Sequence, residues 1–227
     1  CRTDCFEDSH CDDGDGAWCF DYGIQVVQLS VSKYHGCSID QEGALRCWGT
    51  PGHYDYGQVV SPEGQFSQVA NGELHTCALR SDGTLSCWGR DNHGQSSPPG
   101  GVYVEVVSGR YHSCARAHDG TLACWGKNGE GEGVAPAGSF SAISAGRWHN
   151  CAIRAGDGTV ECWGRDSDGQ SSPSAGAFTS VSAGVYHSCG IKADGSLSCW
   201  GKNTSGQTSP PGGTFTSVVA GGGEFSC

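Results

Sequence analysis

The sequence contains no methionine, and only 13 of its 227 residues are Lys or Arg. A complete reading frame starts with Met, so the expectation is a processed chain or a fragment, with any signal peptide removed before Cys1. Set against 24 Asp and Glu, the few cations leave a formal charge of −11. Such a surface repels phosphate backbones, and no Lys/Arg run is present, so nucleic acid is excluded as the expected partner. No stretch approaches roughly 18 apolar residues, so no membrane span is expected in this chain. No Cys-x-x-Cys occurs, which removes zinc ribbons and thioredoxin chemistry. Gly-x-Ser-x-Gly, a phosphate loop and a dinucleotide fingerprint are missing too. The expectation is a protein without enzymatic activity, catalytic residues, cofactor or metal.

What is present is 38 Gly, 15 Cys and 7 Trp. So much Gly argues for many tight turns rather than helices. Fifteen cysteines in regular pairs point to an oxidising compartment, and hence to a secreted or cell-surface protein.

One repeat is written about six times. Its copies are HGCSIDQEGALRCWG from His35, HTCALRSDGTLSCWG from His75, HSCARAHDGTLACWG from His112, HNCAIRAGDGTVECWG from His149 and HSCGIKADGSLSCWG from His187. A short alternating run precedes each, such as FSQVANG from Phe66, and a polar Gly/Asn/Pro segment follows. A sixth copy starts at Phe215 and reaches Cys227.

The copy spacing defines a β-hairpin. Placing Cys77 opposite Cys87, Ala78 opposite Ser86 and Leu79 opposite Leu85 leaves Ser81-Asp82-Gly83 as the loop. Gly83 then takes the left-handed position common in three-residue loops, as do Gly43, Gly120 and Gly195. The fourth copy has one extra residue, absorbed by the loop Ala155–Gly158, so its cysteines stay opposed. Opposed residues on antiparallel strands lie within disulfide range. The expected bonds are Cys37–Cys47, Cys77–Cys87, Cys114–Cys124, Cys151–Cys162 and Cys189–Cys199. Apolar residues on both hairpin faces require sheets covered on both sides, as in a propeller or a β-solenoid.

The recurring Gly, His, Asp-Gly and Trp-Gly resemble the regulator-of-chromosome-condensation repeat family, as do the later Gly-Gln pairs at Gly57-Gln58, Gly94-Gln95, Gly169-Gln170 and Gly206-Gln207. The third copy has Gly131-Glu132 instead. The resemblance covers roughly residues 24–227 and implies an all-β propeller of four-stranded blades, usually seven. The short repeat is similar to the beta-lactamase-inhibitory bacterial propeller, and the paired cysteines to the extracellular repeats of crinkly-type receptor kinases. An acidic, cysteine-paired chain does not imply nucleotide exchange on a small GTPase.

A propeller must join its ends. The expectation is a Cys-rich segment, 1–23, that donates a closing strand to a repeat propeller, 24–227. The run Asp15–Phe20 resembles a third repeat strand, so Cys19 would pair with Cys227 and give six blades, with Cys5–Cys11 bonded and Cys1 left over. In the alternative register Cys11 pairs with Cys19 and Cys227 opens a seventh blade. An odd cysteine in a secreted chain suggests truncation or an intermolecular bond.

The in-phase histidines His35, His75, His112, His149 and His187 could ring a metal. Phe225 at the sixth position favours a structural role, with each His bonded to backbone in its own blade. The Trp-Gly tryptophans are read as inter-blade packing rather than sugar platforms. Asp12–Gly16 and Asp166–Gly169 lack an EF-hand continuation and are read as solvated turns. Trp18, Trp148, Tyr54, Tyr56, Tyr103, Tyr111 and Tyr186 fall less regularly, and those exposed at loop ends are the better candidates for a binding surface. Asn203-Thr204-Ser205 is an N-glycosylation sequon. The expected role is a structural or adhesive module that meets a protein or glycan, or copies of itself in a head-to-tail filament. A receptor ectodomain and an inhibitor of an extracellular enzyme are the alternatives.

Overall fold

The computed structural model describes residues 25–49, 52 and 54–221. These residues form fifteen strands and no helix. The first sheet is β1 (Val26–Val31), β2 (His35–Asp40) and β3 (Leu45–Gly49), and the second is β4 (Phe66–Asn71), β5 (His75–Arg80) and β6 (Leu85–Gly89). The third is β7 (Tyr103–Ser108), β8 (His112–Ala117) and β9 (Leu122–Gly126). The fourth is β10 (Phe140–Ala145), β11 (His149–Arg154) and β12 (Val160–Gly164), and the fifth is β13 (Phe178–Ala183), β14 (His187–Lys192) and β15 (Leu197–Gly201). Each sheet is antiparallel with its strands in sequence order.

The hairpin register is the one that the cysteine spacing requires. Cys77 faces Cys87, Ala78 faces Ser86 and Leu79 faces Leu85, and Gly83 turns the loop at φ 83°. In the fourth sheet the extra residue lies in the loop, and Cys151 still faces Cys162. All five opposed pairs are disulfides with Cα atoms 4.0–4.1 Å apart.

The first strand of each sheet carries a β-bulge, for example between Phe66 and Gln68. Side chains three apart on a regular strand point to opposite faces. The bulge brings Phe66 and Val69 together to the same neighbour, and both are 2% exposed. That neighbour is the preceding hairpin: Phe66 and Val69 pack with Cys37, Ile39 and Leu45 of the first sheet and with Ala78 and Trp88 of their own. The remaining interfaces repeat this arrangement, so the first four disulfides each lie within an inter-sheet core. First strands of successive sheets are neighbours around a common axis.

Two expectations about the blades are corrected. The described residues make five sheets, not six or seven. The sixth repeat contributes its opening run, with the Phe215 N–H bonded to the Gly195 carbonyl at 2.9 Å and Val218 packed on Cys189 and Ile191. Its remaining positions, and the closing strand at Asp15–Phe20, lie outside the described residues, as do Cys1, Cys5–Cys11, Cys19–Cys227, Asp12–Gly16, Trp18 and Phe225; closure of the ring is not shown. Each sheet has three strands rather than the four of the resemblance. In the segment after Trp-Gly, Asp91 binds the Ser96 N–H and the Ser97 hydroxyl, at 2.7 Å each, so the chain folds on itself instead of extending a ladder.

Candidate functional site

The repeated polar residues were the first candidates, and the structure makes them joints between sheets. His35 Nε2 pairs with Thr76 Oγ1 at 2.8 Å, and His75 with Ser113 Oγ at 2.9 Å. His112 reaches Asn150 Oδ1 at 2.9 Å, and His149 reaches Ser188 Oγ at 2.7 Å. Every one of these partners belongs to the next sheet. The expected backbone bond within the same blade is thus replaced by a side-chain latch, because the ring lies across the interface. Burial holds His35 down to about 4, and His75 and His149 to about 3, while His112 and His187 are also lowered by burial. These imidazoles stay neutral at physiological pH. No group of three or more metal-binding side chains occurs among the described residues.

The Gly-Gln pair completes each joint. The Gln58 carbonyl accepts from Trp88 Nε1 at 2.9 Å and from Thr76 Oγ1 at 3.2 Å. Trp125 and Trp200 donate in the same way to Gln95 and Gln170, at 3.0 Å each. These tryptophans are therefore inter-sheet packing. The glutamine side chains turn inward onto their own loops, as Gln95 does by accepting the His93 N–H at 2.8 Å. At the fourth sheet the pattern breaks. Asn150 Nδ2 takes the Glu132 carbonyl at 3.0 Å, and Trp163 Nε1 and Glu132 Oε1 are left buried without a partner among the described residues.

The remaining candidates gather at one end, where the first strand of each sheet turns into the second. These turns place Lys33, Glu73, Arg110, Arg147 and Val185 around the axis. They line a mouth of about 590 Å³, together with the glycines before them. The turns are tied to one another: Glu73 N–H donates to the Arg110 carbonyl, Arg110 N–H to Arg147, both at 3.2 Å, and Arg147 N–H to Gly184 at 3.1 Å. Behind three of the turns a His ring leaves no room for a side chain: a Cβ on Gly72, Gly109 or Gly146 would lie 2.1, 2.2 or 2.5 Å from His75, His112 or His149. In the first sheet Ser32 stands there, and its hydroxyl binds His35 Nδ1 at 2.9 Å.

Tyr34, Tyr111, Trp148 and Tyr186 form the next circle, interleaved with cations. Arg147 lies 4.3 Å and Arg165 5.0 Å from the Trp148 ring. Arg110 and Arg90 lie 4.6 and 5.3 Å from Tyr111, and Lys202 lies 5.1 Å from Tyr186. Arg90 also covers the exposed Tyr56, and Tyr54 stacks on Tyr34. Arg110 is ion-paired with Glu73. Tyr34 holds the Lys33 ammonium above its ordinary value, with Glu73 adding to this across the mouth and Arg147 opposing it.

Five of the seven irregular aromatics thus meet on one surface. Tyr103 does not, being a core residue at 8% exposure. The cations were missed because they cluster in space and not along the chain, although the residue after Trp-Gly is cationic in four copies, Arg90, Lys127, Arg165 and Lys202. Asn203 is exposed, with its carboxamide capping its own loop by accepting the Thr208 N–H at 3.0 Å. Asp166 caps the equivalent loop at Ser171, as the solvated-turn reading requires.

Comparison with known proteins agrees with this architecture. The model of the Regulator of chromosome condensation (RCC1) repeat matches residues 66–95, 103–132, 140–170 and 178–207. The solved structure of the entire ectodomain of the Physcomitrella patens receptor kinase CR4 is similar at 28% identity, with a TM-score of 0.72, over 87% of this chain and 57% of that one. The CRINKLY WD40 ectodomain of the Arabidopsis thaliana receptor kinase ACR4 is similar at 25% identity, with a TM-score of 0.65, over 80% of this chain and 65% of that one. The chain thus spans less than two thirds of either ectodomain. Prp20p from Saccharomyces cerevisiae, at 19% identity and a TM-score of 0.72 over 90% of this chain and 68% of that one, shares the fold. No curated protein matches the chain. Family matches that cover more than half of the sequence, on the same modules that the sheets define, establish that the chain belongs to the RCC1 repeat family.

Proposed function

We propose that the chain is an extracellular, non-catalytic interaction module that meets a protein partner through the turn end. The observation that carries this is the contrast within each module: His, Trp and Gln positions repeat and are consumed by the joints, whereas positions 33, 73, 110, 147 and 185 vary and line an open mouth. Tyr, Trp and Arg are the residue types that supply most binding energy at protein interfaces. Five hairpin disulfides support an oxidising compartment, and similarity to two receptor-kinase ectodomains supports the receptor alternative for the protein that contains this module. The test is a binding screen against purified secreted and cell-surface ectodomains. A partner lost with Trp148→Ala and kept with a hairpin-loop variant supports the reading; a partner indifferent to Trp148→Ala refutes it.

A second feature favours closure or assembly at the first sheet. Val26 and Leu29 are 41% and 59% exposed, while their counterparts Phe66 and Val69 are buried beneath the preceding hairpin. The proposed cover is a sixth hairpin that joins the chain's own termini through Cys19–Cys227; in the filament reading a second copy supplies it. Cystine mapping by mass spectrometry with oligomer size under non-reducing conditions separates them: a monomer with an intrachain Cys19–Cys227 bond gives closure, and a ladder of disulfide-linked oligomers gives the filament.

A further inference from the structure

The axial mouth narrows the chemistry of the partner. Among the described residues, three cations, Lys33, Arg110 and Arg147, and one carboxylate, Glu73, converge on a cavity of about 590 Å³. Arg110 neutralises Glu73, and among the described residues no carboxylate lies within 4.0 Å of Lys33 or Arg147. The rim carboxylates Asp91 and Asp166 are held by their own loops, through Ser96 and Ser97 and through Ser171 and Ser172. The mouth therefore carries a local positive excess on a chain whose total charge is −11.

We infer that the mouth binds an acidic peptide segment of the partner, with successive carboxylates seated between Lys33 and Arg147 and the adjoining peptide lying against Trp148 and Tyr186. This rests on the interaction reading and names its ligand chemistry. The geometry favours peptide over acidic polysaccharide on two grounds. The convergent cations surround a single opening on the axis, whereas a polysaccharide chain is held along a run of subsites. Guanidinium groups lie 4.3–5.3 Å from the ring centroids of Tyr111 and Trp148, so these rings meet a ligand together with cations rather than as bare platforms for a sugar. A guanidinium held over an aromatic ring retains N–H donors for a carboxylate, which suits carboxylate recognition.

The experiment is fluorescence anisotropy of labelled hexaglutamate with the intact, disulfide-bonded chain at low ionic strength. The expected result is saturable binding, weakened about tenfold by Arg147→Gln and again by Lys33→Gln. Lys192→Gln, at the opposite end, leaves it unchanged, and added salt weakens it. Should Arg147→Gln lower the melting temperature, the exposed Lys33 carries the same test. An oligogalacturonate of equal charge should compete less well than unlabelled hexaglutamate. Absence of saturable binding, equal loss with Lys192→Gln, or tighter binding of oligogalacturonate each overturns the inference. If hexaglutamate fails while an ectodomain partner is still lost with Trp148→Ala, the peptide inference falls and the interaction reading stands. If Trp148→Ala leaves that partner bound, the interaction reading falls as well.

Discussion

The two ends of the molecule follow different rules. At the hairpin end four of the five loops solve the same problem in the same way: Asp82, Asp119 and Asp157 each accept the N–H and hydroxyl of a Thr two residues on, and Asp194 accepts those of Ser196, while in the first loop Asp40 accepts the Glu42 and Ala44 N–H groups. The carboxyls of Asp82, Asp119, Asp157 and Asp194 are held below their ordinary range by those bonds. At the turn end, equivalent positions carry Lys33, Glu73, Arg110, Arg147 and Val185, with no common chemistry. In a repeat protein, residues in phase maintain the joints, and departures from phase mark where the modules have been free to differ. In the proposed reading, stability and recognition occupy separate positions of one motif, and substitutions can pull them apart.

The largest expected effect is on the shared interior. The buried histidines have folded-state values near 3 to 4 against about 6.5 when unfolded, so the unfolded chain binds more protons between those limits. Their contribution is fully present above pH 6.5 and is lost as pH falls toward 4, at about 1.4 kcal/mol per histidine per pH unit. Urea melts from pH 7 to pH 4 should show this steep loss. A flat profile would mean that the rings are solvated.

Next comes removal of one staple. Replacing Cys77 and Cys87 by Ala opens a loop of sequence separation 10 and should cost about 3 kcal/mol in a thermal melt. Smaller, and opposite in sign, is the repair of the fourth joint. Glu132 is 1% exposed with Oε1 unpaired. Glu132→Gln supplies an amide of the kind that Gln58 and Gln95 donate to the Tyr54 carbonyl and to Asn92 Oδ1 and should stabilise by about 1–2 kcal/mol; a lower melting temperature would show that the carboxylate has a partner. The smallest stability change belongs to the turn end, where Arg147→Gln should alter unfolding by less than about 1 kcal/mol.

How much of this was legible follows from the range of each interaction. The hairpins were, because cysteine spacing and the compensating residue in the Ala155–Gly158 loop fix register locally. The joints were half legible: the periodic His and Trp announced structural roles, but partners 38 to 41 positions away, such as Ser113 for His75 and Thr76 for His35, depend on how sheets stack. The bulge at Ser67 was hidden because an alternating run reads as a flat strand. The aromatics Tyr111, Trp148 and Tyr186 read as irregular along the chain, yet each stands just before its module's His, in phase with Tyr34 and Leu74. The cations beside them did not stand out, since each copy contributes one or two and only the circular arrangement collects them.

The separation of scaffold and contact surface is tested most directly by hydrogen–deuterium exchange of the intact chain with and without saturating hexaglutamate. The account predicts added protection in the turns 32–34, 72–74, 109–111 and 146–148, with the hairpin loops 41–43, 81–83, 118–120 and 193–195 unchanged. Protection concentrated in the hairpin loops, or spread evenly over both ends, would contradict it.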